Sequence, residues 1–188
     1  MKTFNIFLVL ICMTILLSFG CSDKVQLTNQ PITDESANSL AKATITNFTA
    51  TEIPVQLINP GTMKIVGPNM VAKGMIIESN FESGNNLING TITVTGNGNL
   101  SINTGEGPVH GKFTLTPDAV SGSVWEGNWT GYRKISGNME WTTNAHLVAH
   151  GVGGDIEGMM FYADEAIISN DPSGGLYTGE ANGYIKSK

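Results

Sequence analysis

From Thr44 to the C-terminus, apolar side chains recur at every second residue, a period that fits a β-strand and not a helix. Ile88, Gly90, Ile92 and Val94 share one face while Asn89, Thr91, Thr93 and Thr95 share the other. Leu100 and Ile102 oppose Ser101 and Asn103, and Val109, Gly111, Phe113 and Leu115 oppose His110, Lys112, Thr114 and Thr116. Met139, Trp141, Ala145, Leu147 and Ala149 continue the rule against Glu140, Thr142, Asn144, His146 and His150. Strands with one apolar and one polar face belong to antiparallel sheets that are wet on one side. Glycine, proline and asparagine clusters punctuate them, among them Asn59-Pro60-Gly61, Gly84-Asn85-Asn86, Gly96-Asn97-Gly98, Gly105-Glu106-Gly107 and Gly151 to Asp155. The spacing predicts eight or nine strands in an all-β barrel or sandwich.

Glycine decides between the two. It supplies 23 of 188 residues, well above the usual share of about 7%. Gly127 and Gly131 share a face with Trp125 and Trp129, so each indole is expected to lie over a neighbouring glycine. Glycines within strands also allow the bends that closure requires. A closed sheet has no exposed edges, which suits a chain in which only 14% of residues are charged. The expected fold is an eight-stranded antiparallel β-barrel over residues 44–188. A net charge of −6 without a basic cluster excludes nucleic acid as a partner, because neutralising phosphates supplies most of such affinity.

The N-terminus carries an address. Lys2 precedes the apolar run Ile6–Leu17; as a helix its twelve residues rise about 18 Å, short of a bilayer core of about 30 Å. The run fits a signal-peptide core. Leu17-Ser18-Phe19-Gly20-Cys21 resembles the lipobox of bacterial lipoproteins, with Ser18 and Phe19 departing from that pattern. The resemblance implies removal of residues 1–20, acylation of Cys21, and a membrane partner held through lipid. Ser22-Asp23 resembles the start of the acidic export tag of Bacteroidota-type lipoproteins, cut short by Lys24. The expected location is the cell envelope, on the outer membrane of a Gram-negative bacterium, with either face open. Residues 21–43 read as the lipidated cysteine and a flexible tether, in which Asp34–Lys42 has the pattern of one short helix.

Two further stretches carry a resemblance. Gly122-Ser123-Val124-Trp125-Glu126-Gly127-Asn128-Trp129-Thr130-Gly131 is a tryptophan- and glycine-patterned strand, and Gly151-Val152-Gly153-Gly154-Asp155-Ile156-Glu157-Gly158-Met159 is a glycine hairpin leading into a strand. The second is similar to a run in allene oxide cyclase-like and dirigent-like barrels, of the wider calycin-like group. Covering roughly residues 105–164, the resemblance implies an antiparallel eight-stranded barrel with an apolar lumen, often assembled as a trimer. Activities in that group are cyclisation of an unstable fatty-acid epoxide and steering of radical coupling. Their catalytic residues do not align with positions of this chain, so none is transferred.

Candidate site residues follow from the two faces. Phe113, Trp125, Trp129, Trp141 and Tyr162 are candidates for lining the lumen or packing as its core. His110, Glu126, Glu140 and His146 are the candidate polar site, although their Asn- and Thr-rich faces suit a solvated exterior. His146 and His150 lie about 13 Å apart on one strand and do not chelate a metal as a pair. The Gly151–Gly154 run is not followed by a Lys-Ser/Thr or a helix pattern, so it reads as a turn and not as a phosphate cradle. No metal and no cofactor is expected.

The leading functional expectation is a lipoprotein that binds a small apolar molecule in its barrel or serves as an oligomeric scaffold. The alternative is an isomerase or cyclase acting in the lumen, and a third is an interaction module. A buried ionisable group in a pocket of about 300 Å³ or more would favour the enzyme. A filled lumen would favour the interaction module.

Overall fold

The computed structural model describes residues 43–135, 140–170 and 176–187; the signal peptide, Cys21, the helix expected at 34–42 and Met139 lie outside them. Nine strands follow one another: β1 (Thr44–Asn59), β2 (Thr62–Val66), β3 (Asn69–Ser83), β4 (Gly90–Ser101), β5 (Gly107–Pro117), β6 (Val124–Ile135), β7 (Trp141–Val152), β8 (Met160–Ser169) and β9 (Thr178–Ser187). Each strand from β3 to β9 pairs antiparallel with the next, β9 pairs with β1, and β1 closes the ring on β3. The result is the expected all-β, eight-stranded antiparallel barrel. β2 stands outside the ring as a hairpin arm on β3, its Met63, Ile65 and Val66 exposed.

The expected break at Gly96-Asn97-Gly98 does not occur: β4 runs through it without interruption. Gly96 and Gly98 fall between the inward residues Val94 and Leu100, while Asn97 points out. They keep the strand's parity and empty its inner face. Across Gly96 and Gly111 on adjacent strands lies Trp129, whose Nε1 donates to the Thr95 carbonyl at 3.1 Å. The glycines beneath this indole are therefore the cross-strand Gly96 and Gly111, not Gly127 or Gly131 of its own strand. A Cβ at 111 would lie 2.7 Å from Trp129 Nε1 and closer still to the Thr95 carbonyl.

One half of the barrel is packed solid. Phe161 is its hub, with ring centroids of Phe48, Trp125, Phe113 and Phe81 at 5.2, 5.8, 6.0 and 6.4 Å. The β3–β4 connection folds over this end. Asn85 Oδ1 accepts from the Leu87 N–H at 3.0 Å, and the Leu87 carbonyl accepts from Trp125 Nε1 at 2.7 Å. Ile88, and Ile156 from a 3-10 turn at Gly154–Ile156, complete the plug, both fully buried. A buried indole that satisfies its own N–H contributes area without a desolvation penalty.

Candidate functional site

The other half of the lumen is not apolar. On β1 the inward positions run Phe48, Ala50 and Glu52; on β8 they run Phe161, Ala163, Glu165 and Ile167. Strand parity thus delivers two carboxyls into the barrel, where Glu52 and Glu165 retain only 2% and 4% of their exposure. Ser79 comes in from β3, fully buried, and Tyr177 from the segment just before β9. Space for them is made by β9, whose inward residues are Gly179, Ala181 and Gly183. A Cβ at 179 would lie 2.1 Å from Glu165 Oε1, and one at 183 would lie 2.8 Å from the Phe48 ring.

The four groups form one network. Tyr177 donates its hydroxyl to Glu52 Oε1, Ser79 Oγ lies 3.1 Å from Tyr177 Oη, and the Glu165 and Glu52 carboxyls interact with each other. Burial pushes the Glu165 carboxyl well above the usual carboxylate range, and the neighbouring Glu52 charge and hydrogen bond push it further. Burial also raises Glu52, opposed by hydrogen bonds from Tyr177, Ser79 and Glu165. Tyr177 is held as the neutral phenol by burial and then by the Glu52 charge. Burial and the neighbouring Glu52 thus favour the protonated form more strongly at Glu165 than burial does at Glu52. Two carboxyls in contact do not both ionise at low dielectric.

Beside this network lie two neighbouring chambers. The inner one, about 30 Å³, is bounded by Glu52, Glu165, Tyr177, Trp129, Phe113 and neighbouring aliphatic side chains. An outer one of about 110 Å³ shares Val94, Trp129, Ile167 and Tyr177 with it. Its far wall holds Arg133, with Cζ 3.6 Å from the Trp141 ring centroid, a cation–π stack. Trp141 lies against Gly105, where φ is +68° and a Cβ would meet the indole at 2.4 Å. A side chain at 105 would be strained twice over, by backbone and by contact.

The expected lining residues divide three ways. Phe113 and Trp129 bound the inner chamber, while Trp129 and Trp141 bound the outer one. Trp125 belongs to the plug. Tyr162 corrects the expectation. It alternates with the buried Phe161 and Ala163 and so stands on the outer wall, stacked on Tyr184 at 4.9 Å.

The candidate polar residues do not reach the lumen. His110, Glu126 and His146 lie exposed on the outer wall, where His110 and His146 flank Thr130 in register. His146 Nδ1 sits 2.8 Å from Asp164 Oδ1, also exposed. Glu140 precedes β7, half-buried, and does not line either chamber. Among the described residues no three potential ligands gather around a metal position. A hollow of about 810 Å³ lies open on the outer wall around Thr49, Asn80, Glu82 and Glu180; neither of the buried carboxyls lines it.

Glu52, Glu165, Tyr177 and Ser79 were not among the residues singled out from the sequence. Their signal is parity. Glu52 follows Phe48 and Ala50, and Glu165 follows Phe161 and Ala163, at the two-residue step that marks an inward position. A charged residue at such a position is rarely buried unless it is partnered. No protein family, no curated protein and no solved structure matches this chain.

Proposed function

We propose that this chain is a lipid-anchored envelope protein, acylated at Cys21, whose barrel takes up a small and mostly apolar molecule end-on. The two-chamber lumen carries the reading: a chamber walled by Trp129, Trp141, Met75 and Ile167 adjoins a smaller one with polar groups. Binding sites are commonly apolar cavities with few, convergent polar groups. An apolar cavity of about 150 Å³ holds a benzene-sized guest, so a ring or short alkyl chain is the scale of ligand that fits. The lipobox-like Leu17–Cys21 supports the anchor, and the low charge of the outer wall, with exposed Met63 and Ile65 on β2, supports self-association. The trimers of allene oxide cyclase-like and dirigent-like barrels suggest the stoichiometry.

A second reading, an isomerase or cyclase in the lumen, draws support from the Glu52–Glu165–Tyr177 network. A protonated acid beside a carboxylate is the equipment of general acid–base chemistry. The chambers limit any such substrate to a small molecule.

Toluene and 1-hexanol test the binding reading. Titrated into the full-length protein, each is expected to change the fluorescence of Trp129 and Trp141 saturably and to raise the melting temperature. Absence of both responses at the solubility limit of each probe would refute it.

A further inference from the structure

We infer that the arm formed by β2 and the start of β3 docks on an anionic lipid surface, with its apolar tip among the headgroups and its lysines against the phosphates. The inference rests on the lipid-anchor reading and adds what the domain does once it is held beside a bilayer.

The first observation is an open, apolar edge. β1 pairs with β9 only as far as Glu52, and β2 pairs with β3 alone. From Ile53 to Val66 one side of the chain therefore has no strand beside it among the described residues. Val55, Ile58, Met63, Ile65 and Val66 each keep more than half of their exposure, Ile65 as much as 74%. Ile102, also exposed, stands beside the β2–β3 turn, its N–H donating to the Pro68 carbonyl at 3.0 Å. Single exposed apolar residues are ordinary, whereas a run of them marks a contact surface. The unpaired N–H and C=O groups of this edge need water or headgroups, so the arm lies in the interface and does not enter the hydrocarbon.

The second is charge. Between Ile53 and Ile77 the only charged residues are Lys64 and Lys73, in a chain of net charge −6. Both are exposed, and the pairing of Thr62 with Lys73 and of Lys64 with Val71 sets them on one face of the arm. Met63 and Ile65, paired with Ala72 and Met70, take the other face. Glu106, in the β4–β5 turn, is engaged by the Ile135 N–H at 3.3 Å. Lysine stems lie along apolar surface and carry their ammonium groups to lipid phosphates. A two-fold contact of arm on arm would instead leave the lysines of both copies without an acid of either arm to balance them.

The third is reach. Cys21 is separated from Thr44 by 22 residues, which span at most about 75 Å. β1 and β2 run from Thr44 to Val66; at about 3.3 Å per residue and a tilt of about 40°, they carry the tip about 60 Å along the barrel axis. A lipid on Cys21 and the tip of the arm can therefore meet the same bilayer.

Full-length protein with Ile65→Cys, labelled there with the environment-sensitive fluorophore NBD, tests this in phosphatidylcholine vesicles with and without phosphatidylglycerol. Thr114→Cys, exposed on the outer wall of β5, is the control. The label at 65 is expected to shift to the blue and to be quenched by doxyl-labelled lipid, more strongly with phosphatidylglycerol, while the label at 114 stays unquenched. Lys64→Gln together with Lys73→Gln is expected to remove the phosphatidylglycerol effect. All four positions are exposed, so the substitutions displace no core packing. A label at 65 quenched no more than one at 114 overturns the docking, and so does a phosphatidylglycerol effect that survives loss of both lysines. A blue shift that follows protein concentration in detergent, without quenching in vesicles, assigns the arm to a second copy and overturns it equally. If the chain without an added cysteine takes the label, the anchor reading fails, and the same quenching measured with Cys21→Ser decides the docking alone.

Discussion

The carboxyl of Glu165 occupies the space that a side chain at position 179 would fill: Oε1 lies 2.1 Å from where a Gly179 Cβ would stand. Glu52 Cβ crowds the same point at 3.2 Å. The missing side chain at position 179 is thus what admits two carboxyls to the interior, and the pair is as much a feature of Gly179 as of the acids themselves.

Gly179→Ala is accordingly expected to destabilise the barrel by about 1–3 kcal/mol, the usual cost of overpacking. The cost belongs to one contact, so Glu165→Ala in the same chain should recover most of it. A double-mutant cycle by chemical denaturation measures the coupling. Additive losses would show that the contact is not the cause.

Acid should stabilise this protein through the lumen. Glu165 and Glu52 titrate above the ordinary carboxylate range when folded. The folded state therefore holds more protons than the unfolded one across that window, and stability falls as pH rises through it. Below the unfolded carboxylate pKa of about 4.3 the penalty is absent. The melting temperature is expected to decline from pH 5 to pH 8, and Glu165→Gln to flatten the slope. A variant with the wild-type slope would place the titration elsewhere.

Trp129 bridges the two chambers and donates to Thr95. Trp129→Ala is expected to cost about 3 kcal/mol by removing packing and leaving a cavity, and to abolish saturable binding of 1-hexanol. An unchanged melting temperature would contradict the inward packing of this indole.

The anchor is tested by metabolic labelling. With Cys21→Ala, incorporation of labelled fatty acid is expected to vanish and the protein to leave the membrane fraction. Label retained by the variant would remove Cys21 as the lipidation site.

Self-association is tested with the 44–188 fragment, which contains every strand of the closed ring. Light scattering at micromolar concentration is expected to give the mass of a trimer. A strictly monomeric mass would end the proposal.

The period of two fixed the fold class before any coordinates, because alternation on so many strands leaves the apolar faces nowhere to go but a shared interior. It also assigned the inward faces of Ile92, Phe113, Leu115, Trp125 and Leu147, all buried in the barrel. Local pattern erred where glycine has two uses. Gly96 and Gly98 look like a turn, yet they are the empty inward positions of an unbroken strand. Only the neighbouring strand, with Trp129 across the gap, distinguishes these uses. The same limit hid the site. Glu52 and Glu165 are more than a hundred residues apart, and each alone reads as one acidic residue on a strand. Ring closure between β1 and β3 and the pairing of β8 and β1 with β9 bring them together over Gly179. Strand parity is a property of the local chain. Which inward residues meet across the lumen depends on strand register, and register is set by the closed sheet as a whole.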